Sequence, residues 1–199
     1  MNHRAEVGPA KWYDLIGGHQ FCIMYKLGLR EEHKLLDFGC GSLRGGRLFI
    51  IYLNPGNYYG VEPNTDLIDA GIKQELGESA IKLKNPTFFD FDDFNMSGIG
   101  VKFDFIIAQS VLSHAGNDLF EKAIKEAARS LRPGGTFAAS FFEGPLRYQS
   151  GWLGHGISQY PISHVRSLGT KYGMNMRLLK DICPGFTHPN GQRWAVFTK

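Results

Sequence analysis

Short apolar runs alternate with stretches of helical spacing along the chain, a pattern that predicts an α/β fold with a mainly parallel sheet. Trp12–Leu29 carries apolar residues at near-helical spacing, interrupted by Gly17 and Gly18, and predicts one or two short helices ahead of the sheet. Lys34–Phe38 reads as a first strand ending in a glycine-rich turn. Gly45–Leu53 reads as a helix stopped by Asn54-Pro55-Gly56. Tyr58–Val61 is a second strand. Asn64 or Thr65 caps a helix running to about Leu76, with Asp66 and Asp69 near its start, where negative charge is favoured. Thr87–Phe89 is a third strand, and Phe103–Ala108 a fourth, nearly all apolar as a strand buried on both faces should be. Asn117 or Asp118 opens a helix to Leu131, and Arg132-Pro133-Gly134-Gly135 turns into a fifth strand, Thr136–Phe142. Gly144–Gly156, rich in glycine and aromatic residues, reads as a loop over a site. Pro161–Tyr172 is a helix. Met174–Ile182 and Trp194–Thr198 are closing strands joined by the Pro184–Gln192 turn.

Composition narrows the class. A length of 199 residues suits one domain, with 43% hydrophobic and 21% charged residues, as in ordinary soluble proteins. Within it, residues 1–33 are expected to form a helical N-terminal cap, 34–142 the α/β core, and 143–199 a loop, helix and closing hairpin. Leu48–Leu53 and Phe105–Ala108 are far shorter than a membrane span, and Met1–Gly8 is polar with no secretory apolar region after it. A cytoplasmic protein without a membrane partner is expected. A net charge of +3, with basic residues scattered, argues against nucleic acid as a partner. Cys22, Cys40 and Cys183 form no CxxC pair, so neither a disulfide framework nor a zinc site is indicated.

The candidate chemistry begins at Leu35-Leu36-Asp37-Phe38-Gly39-Cys40-Gly41-Ser42-Leu43-Arg44-Gly45-Gly46. A strand delivers an acid, then glycines, then a helix N-terminus with unpaired N–H groups. A phosphate-binding loop would need Lys and Ser/Thr after its last glycine, and neither is present. A dinucleotide turn would need a glycine where Arg44 stands. Asp37 would repel a pyrophosphate but suits a cationic group such as an α-ammonium. Glu62, after the second strand in Tyr59-Gly60-Val61-Glu62-Pro63-Asn64, is placed to accept from ribose hydroxyls. After the third strand, Asp90, Asp92 and Asp93 are candidates for an exocyclic amine, Asp92 and Asp93 favoured, with Phe94 available to lie against a ring. Ala108, Gln109 and Ser110 end the fourth strand and should border the ligand.

Together these segments resemble the class I S-adenosylmethionine-dependent methyltransferases. Leu35–Gly41, Tyr59–Asn64, Asp92–Phe94, Phe103–His114 and Leu131–Phe137 match five motifs in order. One departure stands at Leu43, where that family usually has a third glycine. The resemblance implies a single three-layer Rossmann-like domain, a seven-stranded sheet with an antiparallel terminal strand, and S-adenosyl-L-methionine as cofactor with S-adenosyl-L-homocysteine as product. It implies cofactor contacts from Asp37, Phe38, Gly39, Cys40, Gly41, Glu62, Pro63, Asn64, Asp92, Asp93, Phe94, Ala108, Gln109 and Ser110. The reaction implied is an in-line methyl displacement in which the protein chiefly aligns the reactants.

A hydroxyl acceptor would need a base, and His114 is the candidate; a packing or capping role is the other reading. His155 and His164 are weaker candidates. Together with His188 they are spaced nine and twenty-four residues apart, which matches no metal motif. Trp12, Tyr13, Phe142, Glu143, Tyr148, Trp152 and Tyr160 are candidate pocket residues. A small-molecule acceptor methylated at oxygen is expected. The alternatives are methylation of nucleic acid or protein, a non-catalytic cofactor-binding module, and an NAD-dependent oxidoreductase. Ala108-Gln109-Ser110-Val111 lacks the Asn/Asp-Pro-Pro-aromatic run of base-methylating enzymes.

Overall fold

Strands too apolar to face water need cover on both sides, and in this protein helices alternate with them along the chain. In the computed structural model, which describes residues 2–147 and 149–199, the chain divides into two units, Met1–Asp92 and Asp93–Lys199.

The first unit contains α1 (His3–Glu6), α2 (Tyr13–Lys26), β1 (Leu35–Phe38), α3 (Gly46–Tyr52), β2 (Tyr58–Val61), α4 (Thr65–Gly71), α5 (Glu78–Lys84) and β3 (Thr87–Phe89). Its strands are parallel, with β2 between β1 and β3 and with Asp37 opposite Gly60. All four residues of β1 are buried. One expectation is corrected here: α2 runs through Gly17 and Gly18 unbroken. A Cβ at Gly17 would collide with the carbonyl oxygen of Arg44, so that glycine permits close packing and breaks nothing. The helix expected to run to about Leu76 does so, as α4 to Gly71 and then as a π-helical turn over Ile72–Leu76. The pattern also missed α5, a short helix with no buried residue to mark it.

The second unit contains β4 (Phe103–Ala108), α6 (Asn117–Ser130), β5 (Leu131–Glu143), β6 (Gln159–Tyr160), α7 (Ile162–Lys171), β7 (Asn175–Leu178), α8 (Leu179–Ile182) and β8 (Arg193–Thr198). β4 and β6 run parallel to β5; β8 lies antiparallel to both β5 and β7. Helix α6 buries Phe120, Ala123, Ile124 and Ala127, a stripe at three- and four-residue spacing. The Arg132–Gly135 turn lies inside β5: Phe103 pairs with Leu131 but Phe105 with Thr136, so the intervening residues bulge outward. The strand expected over Met174–Ile182 stops at Leu178 and becomes the one-turn α8.

Candidate functional site

In the first unit the glycine turn is assembled by backbone bonds and two carboxylates. The amides of Gly39 and Cys40 both donate to the Val61 carbonyl, at 2.8 and 3.0 Å, fastening the turn to the end of β2. Glu62 completes this fastening: Oε2 accepts from Gly41 N at 3.1 Å and Oε1 from Asn64 N at 3.0 Å. Burial lifts the Glu62 carboxyl above its ordinary range, against the pull of those two N–H groups. Asp37 lies deeper, 6% exposed, and accepts from the Tyr58 hydroxyl at 2.8 Å. Burial pushes its carboxyl up to about 7; the Tyr58 bond and the Arg44 guanidinium act in the other direction, and Glu62 adds to the rise. Burial also lowers Arg44, to about 10.

Leu43 has φ +62° and is fully buried. The backbone at the departure from the glycine pattern is therefore left-handed, the conformation a glycine adopts without cost. Gly41 has φ +53°, and a Cβ there would stand 2.6 Å from Val7 Cγ1. The N-terminal segment thus lies against the turn. Ser42 Oγ donates to the His3 carbonyl at 2.9 Å and Arg44 Nη1 donates to the Val7 carbonyl. His3 and Arg4 are anchored on Glu75, at 2.8 and 2.7 Å. Sequence reasoning missed this strap, because residues 1–8 carry no apolar period. Cys40 is buried, and burial raises its thiol well above the ordinary value. Phe38 packs near Phe91, with ring centroids 6.2 Å apart. Pro63, Asn64, Asp90 and Asp92 are exposed.

In the second unit Asp93 is exposed, accepting from Asn95 N at 3.0 Å and pairing with Lys122 at 3.7 Å. Phe94 is buried, with φ +59°. Ala108 and Gln109 are buried, and Ser110 has φ +59°. The Ser110 amide donates to Ser140 Oγ at 2.7 Å. His114 Nδ1 lies 2.8 Å from the Gly156 carbonyl, which makes Nδ1 the protonated nitrogen of the neutral ring and leaves the Nε2 lone pair as an acceptor. The Trp152 ring lies 5.8 Å away and is 56% exposed.

The aromatic candidates separate. Tyr13 is in the core, its hydroxyl donating to the Ser42 carbonyl at 2.6 Å. Tyr160 is also core, donating to the Ala115 carbonyl at 2.7 Å and packed on Phe120. Glu143 pairs with Arg193 at 2.8 Å. Trp12 and Phe142 are half-buried, and Tyr148 lies outside the described residues. His155 is exposed, and the His164 ring stacks on Tyr160 at 5.9 Å. His188, considered in the sequence only for its spacing against a metal motif, is buried with Gln192 and Ser140 at the end of β4, and these last two were missed. Nothing local in the sequence marks them.

The residues present fit a cationic nucleoside. Among the described residues Tyr58 is the one side chain that donates a hydrogen bond to the buried Asp37 carboxylate, so a positive ligand group would relieve its desolvation.

Comparison with known proteins agrees. A family model described as a methyltransferase domain matches residues 36–137. The sterol 24-C-methyltransferase of Aspergillus fumigatus is 29% identical over 127 residues, covering 63% of this chain and 32% of that protein. This chain therefore spans about a third of that relative's length. The magnesium protoporphyrin IX methyltransferase of Synechocystis, solved with bound S-adenosylmethionine, superposes with a TM-score of 0.66 at 17% identity, covering 94% of this chain and 82% of that one. A TehB-like S-adenosylmethionine-dependent methyltransferase from Corynebacterium glutamicum gives 0.65 at 20%, covering 95% and 94%. The fold is the Rossmann-like α/β fold of these enzymes, and with just over half its length matched by the family model, the chain belongs to the methyltransferase domain family.

Proposed function

We propose that this protein transfers a methyl group from S-adenosylmethionine to the oxygen of a small-molecule acceptor, its whole length acting as one methyltransferase domain in the cytoplasm. The observation that carries the reading is Asp37, a buried carboxylate beside the glycine turn whose carboxyl burial pushes up to about 7 even with the Tyr58 hydrogen bond and the Arg44 charge acting against that rise. The sterol and porphyrin methyltransferases among its likenesses support a small acceptor.

The cofactor, when bound, supplies a methyl group on a sulfonium. Asp37 holds the α-ammonium, and Phe38, Gly39, Cys40 and Gly41 form the surface beside it. Glu62, already oriented by Gly41 N and Asn64 N, accepts from the ribose hydroxyls, with Pro63 and Asn64 flanking it. Asp92 or Asp93 accepts from the adenine amine and Phe94 backs that side. Ala108, Gln109 and Ser110 border the methionine portion. His114 takes the acceptor's proton on Nε2, since its Nδ1–H is committed to the Gly156 carbonyl.

A ligand that binds only the folded state raises its melting temperature. S-adenosylhomocysteine should do so and NAD should not, and Glu62→Ala should reduce the shift. Label from a methyl-labelled donor should then appear in hydroxylated small molecules and be lost with His114→Ala. A shift with NAD alone, or label entering RNA in preference to small molecules, contradicts the reading.

A further inference from the structure

Five side chains, Gln109, Ser110, Ser140, His188 and Gln192, meet beyond the end of β4, and all but half-buried Ser110 are 6% exposed or less. They come from three separate stretches of chain. The Gln109 amide reaches Ser110 Oγ at 2.5 Å and His188 Nε2 at 3.0 Å. Gln192 Nε2 donates to Ser110 Oγ at 2.8 Å, and Ser140 Oγ donates to Gln192 Oε1 at 2.6 Å. Ser140 Oγ in turn accepts the Ser110 amide.

Proton counting orders the chain of bonds. His188 Nδ1 accepts from Asn190 N at 3.3 Å, so in the neutral ring Nε2 carries the proton. The two ends of a carboxamide have the same shape, and a protonated Nε2 requires the oxygen end of Gln109 to face it. Ser110 Oγ–H then also donates to that oxygen while accepting from Gln192.

What this network holds is Ser110 at φ +59°. A left-handed non-glycine residue persists only where its surroundings over-determine it, and such positions cluster at functional sites. We propose that His188 is a positioning residue for methyl transfer: through Gln109 it fixes the Gln109–Ser110 backbone that borders the donor's reacting end. This rests on the proposed function above. His188 does not touch the methyl group; it sets the wall beside it.

The test uses S-adenosylmethionine labelled with 13C at the methyl carbon. Bound to the native protein, it should give one sharp methyl resonance displaced from that of the unbound compound. His188→Gln keeps a donor near the Nε2 position and should preserve that resonance. His188→Asn places its amide near Nδ1, keeps the Asn190 contact and loses Gln109; its methyl resonance should broaden or return toward the unbound position. Donor affinity by calorimetry should weaken by less than about tenfold, since one remote hydrogen bond is removed. An unchanged resonance in folded His188→Asn, or equal damage in both variants, overturns the inference. Failure of the native protein to bind the donor overturns the proposed function, and this inference with it.

Discussion

The glycine turn of the first unit and the end of β4 in the second both hold residues at positive φ, yet they hold them by opposite means. Around Leu43 the constraint is apolar and dense: the side chain is fully buried and the neighbouring Gly41 gives way to Val7. Around Ser110 the constraint is polar, a closed set of hydrogen bonds to Ser140, Gln192 and Gln109. Close packing is non-directional and fails by leaving a cavity. A hydrogen-bonded set is directional and fails by stranding a buried donor or acceptor. The first arrangement suits a turn that must be rigid in bulk, the second a wall whose polar atoms must point in set directions.

The sharpest way to break this contrast is at Leu43. Leu43→Ala should cost about 3 kcal/mol in denaturant unfolding, as buried leucine truncations do. Leu43→Gly should cost about 1 kcal/mol less than the alanine variant, because glycine is unstrained at φ +62°. If glycine is the worse of the two, the backbone there is not under strain. Next comes Ser140→Ala, which removes the acceptor of the Ser110 amide and strands Gln192 Oε1; about 2 kcal/mol should be lost by the same measurement. Loss below about 0.5 kcal/mol, the size of an ordinary surface change, would mean the polar set is not holding the wall. The smallest effect is expected for Ser110→Gly, where relief of the left-handed backbone offsets the lost Oγ bonds to within about 1 kcal/mol. A much larger loss would show that the bonds, and not the strain, dominate.

The same contrast explains what the sequence disclosed. Leu35–Phe38 and Phe103–Ala108 announce themselves because strands buried on both faces are apolar throughout. Asp37 and Glu62 are legible because a charge at each of two strand ends, next to a glycine turn, has few structural uses. Local rules fail where the deciding partner is distant in sequence. Gly17 looks like a break until the Arg44 carbonyl is placed beside it. Tyr13 and Tyr160 look like pocket residues, yet each finds a carbonyl in the core. His188 lies 79 residues from Gln109, in a turn whose glycine, proline and asparagine suggest only a connection.

Asp37 carries the central claim, and its protonation makes that claim measurable. An ordinary aspartate titrates near about 4 and Asp37 near 7, so between these values the folded chain keeps a proton that the unfolded chain has released. Its contribution to stability is therefore full below about pH 4 and is lost as pH rises through about 7. A cationic ligand group requires the ionised carboxylate, so binding should release a proton below about pH 7. Calorimetric titration with S-adenosylhomocysteine from pH 5.5 to 8 tests this directly. The account predicts affinity rising with pH and levelling above about 7. In Asp37→Asn the pH dependence should disappear and affinity at pH 8 should fall by about tenfold or more, the size expected for a lost charge-assisted bond. Native affinity that is flat across this range, or an asparagine variant that binds as tightly as the native protein, would contradict it.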